Sequence, residues 1–140
     1  MNVLAALLVL ALLIVVHEAG HFLAATLQGI RVSGFSIGCG PALIKRQRRG
    51  VTYALRLLPL GGFVAFPDDD EESTIPADDP DLLRNRPSPQ QALVVAAGVL
   101  ANLALALVVL FAQAAFVGVP AAPDPGVLVV QVQPGDAAAR

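Results

Sequence analysis

Val16-His17-Glu18-Ala19-Gly20-His21 interrupts an apolar run that extends from Val3 to Leu27. If the run is helical, His17 and His21 stand one turn apart on one face, so both imidazoles can reach one metal ion, with Glu18 beside them. Ionisable side chains inside a membrane span each cost roughly 2.5–3.5 kcal/mol on insertion scales and mark a functional site. Between Val3 and Val16 every residue is apolar, and the apolar character returns after His21, enough in all to cross a hydrocarbon core that needs about 20 residues. A transmembrane helix over 1–27 is therefore expected. A cleaved signal peptide fits less well, because no basic residue precedes the run and it continues past its polar interruption.

Composition supports the same class. Of 140 residues 56% are hydrophobic and 14% charged, whereas soluble domains carry about a quarter charged residues. The net charge of −2 hides a segregation: of the 9 basic residues, all but Arg140 (Arg31, Lys45, Arg46, Arg48, Arg49, Arg56, Arg84 and Arg86) lie between the two long apolar runs. This bias places the connecting segment in the cytoplasm, with the amino terminus outside and the pentad toward the cytoplasmic half. The single cysteine, Cys39, excludes an internal disulfide and a multi-cysteine zinc site. With no tryptophan, one tyrosine and no basic patch interleaved with aromatics, nucleic acid is not an expected partner.

Residues 28–89 change character. Glycines punctuate 29–62, and strand-like pieces over 32–37 and 51–58 flank a basic cluster, Lys45 to Arg49, that reads as a charged turn. Leu57-Leu58-Pro59-Leu60-Gly61-Gly62-Phe63-Val64 sets a proline and a glycine pair in an apolar stretch, which favours extended backbone or a tight loop over helix. Such backbone is tolerated at membrane depth only where protein covers it or where it lines a wet cavity. Asp68 to Glu72 and the following prolines read as a solvated flexible tract.

A second span is expected over 90–119. Gly98 and Asn102, like Ala97 and Ala101, give it one small face that bears an amide. Residues 120–125 read as a proline-stiffened linker, and 126–133 as a strand. One strand buries no core, so 126–140 reads as the opening of a truncated β domain. The expected fold class is thus a mainly α membrane protein: two transmembrane helices, an intervening membrane-associated β-hairpin or small sheet, and the start of a β domain.

The pentad's chemistry follows from metal-site rules. Catalytic zinc takes three protein ligands and keeps one position open. His17 and His21 supply two, and Glu18 is the candidate general base, taking a proton from a water at the metal and passing it to the leaving amine. A membrane substrate would have to be extended to be cut, and the glycine-rich segment, including Gly61 and Gly62, offers an unpaired strand edge for strand addition. Paired histidines on a helix also occur as a packed polar pair or a haem site, and those readings remain open on the pentad alone.

Four stretches carry a resemblance: the pentad with Val16, Phe35-Ser36-Ile37-Gly38-Cys39-Gly40-Pro41, Leu58-Pro59-Leu60-Gly61-Gly62-Phe63-Val64, and Ala97-Gly98-Val99-Leu100-Ala101-Asn102. In this order they resemble the amino-terminal part of the site-2 protease family of intramembrane zinc metalloproteases, specifically the bacterial regulators of sigma-E type with a PDZ domain. The resemblance implies Zn2+ held by His17 and His21, Glu18 as catalytic base, Asn102 near the site holding substrate, a strand segment against the membrane, and a PDZ domain beginning at 126–140. It implies a multi-pass chain in the bacterial inner membrane whose partners are the lipid bilayer and a membrane-anchored protein, such as an anti-sigma factor or a signal-peptide remnant. Val99 departs from the family's usual proline. The family's third zinc ligand, an aspartate in an Asp-Gly motif on a later helix, lies in no part of these 140 residues. A catalytically incomplete scaffold of the same fold is the alternative reading.

Overall fold

The computed structural model describes residues 2–70 and 73–118. The linker expected over 120–125 and the PDZ-like start expected over 126–140 lie outside the described residues. Within them the chain forms a long helix α1 (Val3–Leu27), two strands β1 (Gly34–Arg48) and β2 (Val51–Ala65), short 3-10 turns at Pro67–Asp69 and Leu83–Asn85, and a second long helix α2 (Ser88–Phe116).

Both helices start and stop where local chemistry dictates. The Asn2 side chain accepts a hydrogen bond from the Ala5 amide (2.9 Å), satisfying one of the first-turn donors of α1. At the other end Gly29 takes φ +70°, its N–H donates to Thr26 O (3.1 Å) and that of Ile30 to Ala25 O (2.9 Å). That is a Schellman stop, which needs a residue tolerant of left-handed backbone. In α2, Pro89 occupies the first turn, where its missing N–H has no helical partner to lose.

At 25 and 29 residues, α1 and α2 are about 38 and 44 Å long at 1.5 Å per residue, more than a hydrocarbon core of about 30 Å. Their large apolar side chains mostly face outward: Leu4 is 65% exposed, Val95 70% and Phe111 76%. Surfaces of this kind belong against lipid tails. The helices meet along a narrow small-residue line, with Gly20 of α1 against Ala97 and Ala101 of α2. A Cβ at Gly20 would stand 2.5 Å from the Ala97 carbonyl oxygen, so the contact is as close as backbone permits.

The sheet is larger than the short strand-like pieces expected from sequence. Each strand has 15 residues, the basic cluster is mostly inside β1, and the turn is only Arg49-Gly50, both with positive φ (51° and 84°). A two-residue turn of this hand matches the twist of an antiparallel pair. From the turn outward the pairing is antiparallel, Arg48 opposite Val51 and Ile44 opposite Leu55. Both strands then bend, with Gly38, Gly40 and Gly61 at positive φ. The start of β1 thereby gains neighbours on both sides: Gly34 to Ile37 lie opposite Ala65 to Gly62 and also beside Thr52 to Leu55. The arm Gly62–Ala65 becomes an outer rank of the sheet.

The sheet packs on α1 through Phe22, whose ring lies 5.2 Å from that of Phe35 and 6.1 Å from that of Tyr53. Beneath, Ala25, Ile30, Val32 and Val94 form the buried core, with Val64, Phe66 and Leu83 against it. An ionic clasp ties the loop before α2 to the end of α1. Arg31 pairs with Asp79 (3.1 Å), and Arg86 bridges Asp81 (2.7 Å) and the Gly29 carbonyl (2.9 Å). The Asp81 N–H bond to Asp79, then the Arg31 guanidinium, hold the Asp79 carboxyl below its ordinary range against the opposing pull of desolvation. Asp68 also accepts a bond from the Arg84 amide (2.8 Å), so these two acids of the tract are tied to the fold.

Candidate functional site

The pentad sits on α1 where that helix meets both α2 and the outer rank of the sheet. His17 and His21, one helical turn apart, set their rings edge to face (4.7 Å between centroids, 82° between planes). Their Nε2 atoms converge to 3.1 Å. His21 Nδ1 lies 2.7 Å from the Val94 carbonyl oxygen on α2. A carbonyl only accepts, so Nδ1 carries a proton, and in the neutral imidazole this leaves the lone pair on Nε2, toward His17. This is the outer-sphere support that metal-binding histidines usually have.

The fit of a metal ion can be tested on that geometry. Two nitrogens at about 2.0–2.1 Å from one tetrahedral zinc lie about 3.3 Å apart, close to the separation found here. Gly98 of α2 makes the space. A Cβ there would stand 2.7 Å from both Cε1 and Nε2 of His17 and would collide with His21 Nε2. Among the described residues no group of three or more His, Cys, Asp or Glu is placed to hold a metal. The spacing of the pair suits two donors to one ion.

Glu18 projects a different way, toward the sheet. A Cβ at Gly62 would fall 2.9 Å from Glu18 Cγ and 2.9 Å from the Ser36 carbonyl oxygen, so the backbone of β2 lies directly on the carboxylate side chain. Glu18, His21, Gly62, Phe63, Val94 and Val95 line a cleft of about 340 Å³ between α2 and the outer strand arm. The two glycines of the pair separate here. Gly62 is at the site, whereas Gly61, at φ +92°, has open space where its side chain would be. Asn102 is one turn along α2 from Gly98 and is not in the wall of that cleft. Among the described residues its buried Oδ1 has no hydrogen-bond partner, an orphan acceptor that a bound group would satisfy.

Two features escape sequence reasoning. The carbonyl of Val94 is a backbone group, and nothing in the identity of a valine announces it. Gly98 was visible as part of a small face, but its role as the socket for both imidazoles depends on which residues of α1 it meets.

Two apolar helices long enough to cross a membrane, joined at a glycine socket that gathers two imidazoles with a carboxylate alongside, define the class: a membrane-helix protein with a candidate metal site. Comparison with known proteins gives the family. Residues 5–136 match Peptidase family M50. The chain is 53% identical over 140 residues to the chloroplast membrane metalloprotease ARASP of Arabidopsis thaliana, covering 99% of this chain and 31% of that protein. It is 57% identical over 134 residues to a candidate zinc metalloprotease of Nostoc sp. (96% and 37%), and 41% identical over 107 residues to the regulator of sigma-E protease RseP of Salmonella typhimurium (76% and 24%). The chain belongs to peptidase family M50, the site-2 proteases. It spans about a third of the length of the first two of these relatives.

Proposed function

We propose that this chain carries the first part of the active site of a zinc-dependent intramembrane endopeptidase, with His17 and His21 as two metal ligands and Glu18 as general base. The observation that carries the reading is the convergence of the two Nε2 atoms at 3.1 Å, with the His21 ring fixed by the Val94 carbonyl. Membership of the M50 family and relatives named as zinc and membrane metalloproteases support it.

Zinc in such a centre supplies a Lewis acid for a peptide carbonyl and lowers the pKa of water to about 7. The residues of this chain do the rest. Val94 O holds the proton of His21 on Nδ1 and so keeps Nε2 available. Glu18, pressed against the Gly62 backbone, takes the proton of the attacking water and returns it to the leaving nitrogen. The outer arm Gly62–Ala65 offers its open edge to an extended substrate, which cannot be cut while its carbonyls are bonded within a helix. Asn102 Oδ1 accepts a substrate N–H, and Gly61 keeps the approach clear of side chains.

The same reading assigns 1–27 and 90–119 as spans of a multi-pass protein of the bacterial inner membrane, amino terminus outside and 28–89 cytoplasmic, followed by the linker and a PDZ domain. The third ligand is an aspartate from outside the described residues. Substrates are membrane-anchored proteins, such as an anti-sigma factor or a signal-peptide remnant. The test uses full-length protein in nanodiscs, with zinc content and cleavage of a transmembrane substrate measured for wild type and Glu18→Gln. Zinc retained with cleavage reduced about 10²-fold or more is expected. Undiminished cleavage contradicts the assignment of Glu18, and a wild-type chain without zinc or cleavage favours the scaffold reading.

A further inference from the structure

Ser36 is the one buried polar side chain among the described residues, and it lies in the middle of the sheet, opposite Ala54 on one side and Phe63 on the other. A hydroxyl held there without a partner is destabilising. Arg56 supplies the partner. Its Nε donates to Ser36 Oγ (2.8 Å), and its Nη1 donates to the Gly40 carbonyl (2.8 Å), where β1 bends at φ +81°. Its guanidinium carbon stands 5.3 Å from the centre of the Phe63 ring. Gly38 permits the approach, since a Cβ there would stand 2.6 Å from the Leu58 carbonyl oxygen and 3.3 Å from Arg56 Cβ. One side chain of β2 is thus fastened to β1 at two points and to the outer arm at a third.

The fastening leads to Glu18. Phe63 follows Gly62, whose backbone meets both Ser36 and Glu18: a Cβ at Gly62 would fall 2.9 Å from the Ser36 carbonyl oxygen and 2.9 Å from Glu18 Cγ. Two successive glycines give the arm little stiffness of its own, so its height over α1 is set by what holds it from the sheet side. We infer that Arg56 is a positioning residue for Glu18: its hold on Ser36, Gly40 and Phe63 fixes the outer arm, and the Gly62 backbone in turn fixes the carboxylate side chain. The inference rests on the reading of Glu18 as general base. A guanidinium suits the task because its planar fork serves two acceptors while its face lies over a ring, which a single ammonium does not reproduce.

The test measures zinc content and steady-state cleavage of a transmembrane substrate by full-length protein in nanodiscs. Arg56→Gln keeps its zinc and lowers kcat about tenfold, with KM within about twofold of wild type. Arg56→Lys, with one donor head, recovers only part of the loss, about threefold below wild type. Ser36→Ala removes one acceptor without touching the cation and lowers kcat in the same sense. Combined with Arg56→Gln it adds nothing further, because both changes release the same contact. Arg46→Gln, placed with Arg48 and Tyr53 away from these partners, cleaves as wild type does. An unchanged kcat in Arg56→Gln, a rise in KM alone, or loss of zinc with activity overturns the inference, as do additive effects of Arg56→Gln and Ser36→Ala. Should Arg56→Gln not fold, Ser36→Ala decides by the same split. Undiminished cleavage by Glu18→Gln removes instead the base assignment beneath it, so the two failures read differently.

Discussion

The helix contact and the sheet solve opposite problems with the same residue type. Between α1 and α2, Gly20 and Gly98 remove side chains so that Ala97 and two imidazoles fit into one narrow contact, and any added carbon collides. In the sheet, Gly40 and Gly61 face open space and serve to bend the strands, while large side chains point outward. One region is built on exclusion of volume, the other on chain direction. Substitutions should therefore hurt the first region by clash, abolishing metal binding, and the second by mispositioning, leaving the metal in place.

The largest expected effect is at the socket. Gly98→Val places carbon where His17 and His21 meet, and zinc affinity of the full-length protein should drop by about 100-fold or more, read by competition with a chromophoric chelator. Retention of tight zinc binding would remove the distinction between the two regions. At Gly62 the effect should divide differently. Gly62→Ala pushes on Glu18 Cγ and the Ser36 carbonyl, so cleavage falls about 10²-fold while zinc content stays at the wild-type level. Loss of zinc in that variant would mean that sheet and helix contact act as one unit.

Asn102 sharpens the comparison from inside the helix pair. Because its buried Oδ1 has no partner among the described residues, Asn102→Leu should leave thermal stability unchanged or raise it by about 1 kcal/mol, while KM for a transmembrane substrate rises about tenfold. A strong loss of stability would show that the amide serves packing. Smallest is the ionic clasp between the loop before α2 and the end of α1. Asp79→Asn should lower Tm slightly at neutral pH. Since the folded-state pKa of Asp79 is depressed, its contribution is present above the ordinary carboxylate range and is lost as pH falls through the lowered value. Wild type and variant should thus draw together as pH falls from about 4 and converge below the lowered pKa of Asp79. A difference that persists there would assign the effect to something other than the carboxylate charge.

Legibility from sequence followed the same divide. The helices were readable because their apolar runs exceed a bilayer's span, and the convergence of His17 and His21 because one helical turn separates them. Sheet lengths were not. Lys45 to Arg48 look like a turn when charge is taken as the signal, yet they extend β1, since an exposed strand arm carries charge without penalty and only Arg49-Gly50 must reverse the chain. The pairing of Gly34–Ile37 on both sides depends on where two bent strands cross, which no local pattern encodes. Val94 was unreadable because its part is played by a carbonyl, and Gly61 and Gly62, alike in sequence, diverge because only one meets Glu18.

The most direct test is zinc X-ray absorption on full-length protein, wild type and Glu18→Gln. Two imidazole nitrogens at about 2.0–2.1 Å in both proteins is the predicted result. A zinc shell without imidazole, or one rearranged by Glu18→Gln, would contradict His17 and His21 as ligands with Glu18 as the base beside them.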